Sequence, residues 1–191
     1  LPTSILDMIE EANDYYFPTL TGVYLKVTRT LITIATVFFT PLYLLFMQNQ
    51  QWLPEAFAFV AVRDTVNIPL IFQFLLLELS IDGLRLAAMN TPTMLSTPLS
   101  VIAGIVMGEF SVQSGWFNSE VMLYMAFVAV ANYTQPNFEL GYALKFMRLL
   151  LLVLTAAFNL YGFIIGCILV LCFLIFNKTL SGRNYMNVKL N

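Results

Sequence analysis

LLLLVLTAAFNLYGFIIGCILVLCFLIFN, residues 149–177, contains no charged side chain. A helix of about 20 apolar residues crosses the hydrocarbon core of a bilayer, so this run is longer than one perpendicular span requires. Such a helix tilts or bends, and Asn159 and Gly162 mark the predicted bend. The run predicts a membrane-spanning helix and places the chain among membrane proteins.

The composition of the whole chain indicates the same class. Hydrophobic residues make up 59% of the 191 residues and charged residues 10%, whereas a soluble domain has about 25% charged residues. The net charge of −2 gives no indication of a nucleic-acid partner. Histidine, the commonest metal ligand, is absent, and Cys167 and Cys172 are too few for a metal site. We expect no metal, no cofactor and packing roles for both thiols.

Five runs of the chain are apolar enough to be candidate spans. They cover residues 30–54, 68–89, 86–108, 121–138 and 149–177. The run 68–89 is the weakest candidate because it carries three charged side chains inside it. The sequence therefore predicts an all-α, polytopic helical membrane domain with four to five transmembrane helices.

The two ends of the chain differ from its apolar middle. In residues 1–25, TSILDMIEEAND predicts a short amphipathic helix that Pro18 and Gly22 end. We interpret this segment as a juxtamembrane linker at the membrane surface, and the alternative is a docking helix for a partner. Residues 26–177 form the predicted transmembrane domain, and residues 178–191 form a polar C-terminal tail.

The basic residues do not indicate one orientation. Lys26 and Arg29 precede the first run, which favours a cytoplasmic start under the positive-inside rule. Two cations precede the last run and three follow it: Lys145, Arg148, Lys178, Arg183 and Lys189. If the last run is a single span, these two groups lie on opposite sides of the membrane, and the rule gives no consistent topology.

The segment LLLELSIDGLRLAAMN, residues 75–90, places three charges among leucines. On a helix Glu78, Asp82 and Arg85 are spaced i, i+4 and i+7 and form one stripe. A central Asp or Arg costs about 2.5–3.5 kcal/mol in the bilayer and a Leu returns about 0.3–0.6 kcal/mol, so the stripe is predicted to face protein or water. Two interpretations are open: an internal ion pair that fixes packing, and a stripe at a subunit interface or beside a water-filled pathway.

A second polar group lies in GIVMGEFSVQSGWFNSE, residues 104–120. Glu109 and Gln113 are predicted to share a helix face, and the spacing of Gly104 and Gly108 allows close helix approach. A carboxylate in a wet pathway attracts cations, and subunits repeated around an axis make a ring of such groups. The alternative is that Glu109 lies hydrated at the membrane surface.

A third polar group follows, in AVANYTQPNFELGYALKFMRLL, residues 129–150. Pro136 releases a backbone carbonyl group, and we expect the side chains of Asn132, Thr134 and Gln135 to satisfy it. Irregular backbone at membrane depth is tolerated where it is buried in protein or lines a cavity. The helix break is therefore predicted to lie in one of these two environments.

Five blocks keep a characteristic order across nearly the whole chain. They are LPEAFAFVAVRDTVNIP (53–69), LLLELSIDGLRLAA (75–88), IAGIVMGEFSVQSGW (102–116), TQPNFELG (134–141) and RLLLLVLTAAFNLYGFIIG (148–166). Together they resemble the GerA family of spore germination A subunits. Within that family, LRLAAMNTPTMLST (84–97) is closer to the stage V sporulation protein AF branch than to the nutrient receptor A subunits.

The resemblance implies a membrane domain that assembles as a pentameric ring. In the family, a cytosolic N-terminal domain precedes this membrane domain. The family's A subunits are thought to form channels that release ions during germination, which implies the spore inner membrane of an endospore-forming bacterium and other spore germination membrane proteins as partners. The matching residues are Glu78, Asp82 and Arg85 for a charged intramembrane network, and Pro136, Asn137, Glu139 and Gly141 for the helix break and turn. At Glu109 the family often has Gln.

The first functional hypothesis is an oligomeric cation channel, with copies of this chain, monovalent cations and the lipid bilayer as partners. Its pathway candidates are Glu109, Gln113, Glu120, Ala126 and Ala129, and the slim helix at 121–138 is the predicted pore wall. The alternatives are a non-conducting germinant receptor or scaffold subunit and a secondary transporter, since intramembrane carboxylates also couple protons. An enzyme is not expected, because no nucleophile or metal site accompanies the acids.

Overall fold

The computed structural model describes residues 9, 16–62, 66, 68–90, 98, 101–135 and 137–176. Over these residues the chain is all-helical, which confirms the predicted class. The main helices are α1 (Thr19–Gln48), α2 (Leu70–Asn90), α3 (Val101–Gln113), α4 (Ser119–Tyr133) and α5 (Phe138–Phe176). Short 3-10 helices at Gln50–Trp52 and Glu55–Val60 follow α1. Within the described residues, α1 and α5 are long and apolar enough to cross a membrane.

Two compact units make up the fold. The first unit comprises Leu1–Leu45 and Val130–Asn191, and the second unit comprises Phe46–Ala129. The first unit therefore contains most of α1, the end of α4 and all of α5. The second unit contains α2, α3 and most of α4.

Helix α1 is continuous from its first residue, although two helix breakers lie near its start. The backbone N–H of Gly22 donates to the carbonyl oxygen of Pro18 (2.9 Å), and a proline is tolerated there because a first-turn N–H has no intrahelical partner. Gly22 therefore lies inside α1, and residues 19–25 belong to the same helix as the first apolar run. The short helix predicted in TSILDMIEEAND lies outside the described residues apart from Ile9. Whether residues 1–25 act as a membrane-surface linker stays a prediction.

Helix α5 is a hairpin of two antiparallel arms, and Asn159 is the turn. The backbone of Asn159 has φ 54° and ψ −130°, a combination that a residue with a Cβ adopts at a cost of about 1–3 kcal/mol. A Cβ added at Gly162 would collide with the carbonyl oxygen of Leu154, and one at Gly166 would lie 2.7 Å from Cδ2 of Leu151. The chain therefore reverses at Asn159, and the two glycines pack the second arm against the first.

The hairpin changes the predicted topology of the last apolar run. The bend expected at Asn159 is confirmed, but the run is not one long span. The arms before and after Asn159 are about 32 and 26 Å long, and the end of the second arm lies beside the start of the first. If both arms cross a membrane, the cations before and after this run belong on the same side, and the conflict does not arise.

Two other predicted spans are described in part or have a different limit in the structure. In the run 86–108, α2 continues to Asn90 and α3 is described from Val101, and most of the residues between them lie outside the described part of the chain. Helix α4 ends at Tyr133 rather than at residue 138, since the hydroxyl of Thr134 donates to the carbonyl oxygen of Ala131 (2.7 Å) and closes the last turn. With 15 residues, α4 is about 22 Å long, shorter than the roughly 30 Å hydrocarbon core.

The hydrophobic core of the first unit joins the arms of the hairpin to α1. It contains six buried side chains: Ile9, Val37, Leu140, Leu144, Leu151 and Val170. Leu144 and Leu151 face Val170 across the hairpin, and Val37 comes from α1. Ile9 is the described residue of the N-terminal segment that belongs to this core.

Candidate functional site

The charged stripe lies on α2 with the spacing that the sequence predicts. Glu78 is only 4% exposed, and Asp82 and Arg85 are half-buried. Leu79 and Met89 occupy the exposed side of the same helix. Glu78 is therefore enclosed within the chain, and the role of the stripe as a charged network stays a prediction.

Gln73, which the sequence analysis missed, joins the start of α2 to the start of α4. Its side chain is buried, and its Nε2 donates to the carbonyl oxygen of Ile68 (2.8 Å). Its Oε1 accepts from the backbone N–H of Asn118 (3.0 Å), the residue before α4. A single glutamine in an apolar run gives no periodic signal, so only the packing reveals this role.

Glu120 lies half-buried in the first turn of α4, directly after that junction. The hydroxyl of Ser119 donates to its Oε2 (3.3 Å). A carboxylate in a first helical turn is stabilised by the partial positive charge of the helix N-terminus. Glu120 therefore lies at the N-terminal end of α4.

Glu109 and Gln113 share one face of α3, as the spacing predicts. Nε2 of Gln113 donates to Oε1 of Glu109 (3.1 Å), and both side chains are exposed. Glu109 lies in a π-helical turn, Ile105–Phe110, and turns of this kind are frequent at functional sites. A Cβ at Gly104 or Gly108 would meet no atom within 4 Å, so no described helix of this chain packs on these glycines.

Helix α4 has one buried face and one exposed face. Val121, Met125 and Val128 are buried. Ala126 is on the exposed face and Ala129 is half-buried at its edge. The exposed face also carries large side chains: Leu123, Phe127, Val130 and Tyr133. The expectation of a slim surface is therefore wrong, and a pathway along this face would be constricted by apolar side chains.

The turn between α4 and α5 is built by Asn137. Its Oδ1 accepts from the backbone N–H of Glu139 (2.9 Å), and its carbonyl oxygen accepts from the N–H of Gly141 (3.1 Å). This is an N-cap, and Glu139 is exposed in the first turn that follows. Gly141 is buried, and a Cβ there would lie 3.5 Å from Oδ1 of Asn132.

The expected roles of the polar side chains before this turn are only partly met. Pro136 itself lies outside the described residues. Thr134 satisfies a carbonyl group at the end of α4, but Nε2 of Gln135 donates to Oγ1 of Thr33 on α1 (2.9 Å). Gln135 therefore joins two helices of the first unit instead of satisfying the backbone near the proline.

Arg148 and Lys145 form a buried cationic pair that the sequence analysis took for charges flanking a span. Arg148 is 2% exposed and Lys145 is buried as well. An N–H of the Arg148 guanidinium donates to the carbonyl oxygen of Thr36 (3.0 Å). Thr36 lies one turn before Pro41 in α1. The guanidinium thus packs on the polar face of α1, where Thr33, Thr36 and Thr40 are all buried.

No group of three Cys, Asp or Glu side chains in the described part of the chain could hold a metal ion. The model of the Bacillus/Clostridium GerA spore germination protein family matches residues 1–191. The chain belongs to this family. No solved structure matches the GerA-family chain.

Curated relatives of this GerA-family chain include sporulation and germination proteins of Bacillus subtilis strain 168. Stage V sporulation protein AF is 34% identical over 165 residues, which cover 86% of this chain and 34% of that protein. Spore germination protein A1 is 27% identical over 173 residues, 89% of this chain and 36% of that protein. An uncharacterized membrane protein, YfkQ, is 22% identical over 88% of this chain and 33% of that protein. The chain spans about a third of the length of these relatives.

Proposed function

We propose that this GerA-family chain is a membrane subunit of a spore germination complex, and that its copies form a ring that conducts monovalent cations. The names of the relatives support the germination role. The apolar helices α1 and α5 support placement in a bilayer, and the family resemblance adds the ring of five, the spore inner membrane and other germination proteins as partners.

The distribution of charge carries the proposal for cations. The described residues of the second unit carry five carboxylates, Glu55, Glu78, Asp82, Glu109 and Glu120, against one cation, Arg85. Glu109 is exposed and Glu120 half-buried, so both are accessible to a passing ion. Repetition around a rotation axis converts one carboxylate into a ring of negative charge. Such a ring attracts cations and repels anions.

Helix α4 is the proposed wall of the conducting path. Glu120 is placed at one end of this short helix, and the exposed face beyond it presents Leu123, Ala126 and Phe127. Apolar constrictions close pores by excluding water. In this proposal the Glu120 ring concentrates cations at the mouth, while Leu123 and Phe127 hold the path shut until the assembly rearranges.

A non-conducting receptor or scaffold subunit is the second candidate, and one observation favours it. Glu78 is buried within the chain, and the exposed face of α4 is apolar and bulky. A buried carboxylate and a bulky apolar helix face are equally compatible with packing between subunits and with conduction. In that case the charged stripe and α4 hold the assembly together and no ion crosses.

Cation flux through vesicles that contain the purified whole protein distinguishes these candidates. We expect K⁺ efflux from the wild type, and a decrease of about tenfold for Glu120→Gln, because a neutral amide removes the field of the ring and keeps the shape. Glu55→Gln is the matched control, since Glu55 is an exposed carboxylate of the same unit outside α3 and α4. An assembled ring without flux, in vesicles of any tested lipid, would leave only the scaffold role.

A further inference from the structure

A cleft of about 540 Å³ lies between the two arms of the α5 hairpin. The first arm contributes Glu139, Ala143, Phe146 and Leu150, and the second arm contributes Leu169 and Phe173. Apart from Glu139 and the Tyr142 hydroxyl, the side chains that line the cleft are apolar. Volumes of this size are typical of small-molecule sites.

The cleft is built into the hairpin by the sequence of its arms. Near the turn, Gly162 and Gly166 allow the arms to pack on Leu154 and Leu151 with almost no space between them. Farther from the turn, Phe146 and Phe173 line the cleft from the two arms. The glycine contacts therefore lie near the tip of the hairpin, and the cleft lies towards its base.

The shape and lining of the cleft suit an acyl chain. The residues of the first arm that line it run from Glu139 to Leu150, about 16 Å along a helix. Over most of this length the lining side chains are apolar. An extended hydrocarbon chain matches an elongated apolar cleft of this kind, because its burial there removes apolar surface from contact with polar groups.

Among the described residues that line the cleft, one carboxylate lies at its base. Glu139 lies exposed in the first turn of α5 and Tyr142 lies one turn further on. The arms are about 26–32 Å long, close to the thickness of the hydrocarbon core, so the base of the hairpin lies at the level of lipid headgroups. An ammonium group complements the charge of Glu139, and an anionic headgroup is repelled by it.

We propose that the hairpin cleft binds one acyl chain of a phospholipid whose headgroup carries a primary amine, with the ammonium group at Glu139. The inference rests on the membrane placement in the proposed function but not on conduction. The acyl chain fills the space between Phe146 and Phe173, and the lipid stays with the protein when bulk lipid is removed.

Native mass spectrometry of the whole protein tests this site. The protein is extracted from vesicles of equal parts phosphatidylethanolamine and phosphatidylglycerol. We expect one retained phosphatidylethanolamine per subunit, and about tenfold less retention for Ala143→Phe, because the added ring occupies the cleft. Ile168→Phe is the matched control: it adds a ring to an exposed position on the second arm outside the cleft, and retention is expected to be unchanged.

Two further measurements make the result decisive. Glu139→Gln is expected to keep the bound lipid and lose the preference for the amine headgroup, so that both lipids are retained equally. Met147→Trp, which also narrows the cleft, replaces Ala143→Phe if that variant does not assemble by size-exclusion chromatography. Three outcomes overturn the proposal. The first is equal lipid retention by the wild type, Ala143→Phe and Ile168→Phe. The others are an absence of retained lipid and a preference of the wild type for phosphatidylglycerol.

The same vesicles separate this proposal from conduction. Lipid retention without cation flux contradicts the proposed channel and supports the lipid site. Cation flux without lipid retention supports the proposed channel and contradicts the lipid site. Cross-linking between copies through cysteines placed in the cleft would show that a second chain fills it, and would also overturn the lipid assignment.

Discussion

In the first unit the cations Lys145 and Arg148 are buried, and Arg148 donates to a backbone carbonyl of α1, whereas in the second unit the carboxylates Glu109 and Glu120 are exposed or half-buried. Both groups are isolated charges in apolar runs of the sequence. Their surroundings give them different consequences. A guanidinium enclosed by protein joins the elements that it contacts, while an accessible carboxylate is open to solvent and its ions.

The same contrast holds for the two pairs of glycines at GxxxG spacing. Gly162 and Gly166 in the first unit lie against Leu154 and Leu151, while Gly104 and Gly108 in the second unit have open space where a Cβ would stand. The first pair is used within the chain. The second pair leaves a face of α3 uncovered by the described residues, so identical motifs differ in whether the described part of the chain packs on them.

The largest expected effect comes from exchanging one glycine of each pair for alanine. Gly162→Ala places a Cβ on the carbonyl oxygen of Leu154, and we expect the free energy of unfolding to decrease by about 3 kcal/mol. Gly104→Ala meets nothing and is expected to raise it by about 0.5–1 kcal/mol through helix propensity. Reversible unfolding in detergent micelles measures both. If both variants lost the same free energy of unfolding, the two glycine pairs would not differ in packing.

Removal of the buried guanidinium is expected to have the next largest effect. Arg148→Met deletes the charge-assisted hydrogen bond to the carbonyl oxygen of Thr36, and stability should decrease by about 2–3 kcal/mol. Arg148→Lys keeps the charge but not the planar donor geometry, so we expect a smaller loss. The same unfolding measurement applies. If Arg148→Met leaves the free energy of unfolding unchanged, this cation does not join α1 to α5.

Gln73 is the corresponding junction of the second unit. Gln73→Leu leaves the N–H of Asn118 and the carbonyl oxygen of Ile68 without their partner, and we expect a loss of about 2 kcal/mol. Gln135→Leu in the first unit, where a half-buried amide donates to one hydroxyl, should cost about 1 kcal/mol. If the order of these two losses is reversed, the start of α4 is not fixed by Gln73.

The smallest expected effect is a gain in stability at the hairpin turn. Asn159→Gly relieves the positive φ at that position, and we expect the free energy of unfolding to rise by about 1 kcal/mol. Asn159→Ala, which keeps a Cβ and loses the amide, serves as the control and should not gain. A loss of stability on Asn159→Gly would mean that the amide contributes more than the strained backbone costs.

The apolar runs were sufficient to predict the helices, and the spacing of Glu109 and Gln113 was sufficient to predict their shared face. The sequence predicted a bend at Asn159 but not the reversal of the chain there. The reversal depends on the packing of Gly162 against Leu154, a contact that no periodicity in the sequence encodes. The burial of Arg148 was not predicted either. Its acceptor, the carbonyl oxygen of Thr36, lies 112 residues earlier in the chain, and a window of sequence cannot show that these two residues meet.

The reversal at Asn159 also has a consequence for biosynthesis. Both ends of α5 emerge on one side of the bilayer when the hairpin spans it, so the polypeptide after Phe176 returns to the side on which α5 begins. The two arms can enter the lipid together as they leave the ribosome, with their glycine contacts already made. An epitope tag placed after residue 176 should therefore be accessible from the same compartment as one placed between α4 and α5.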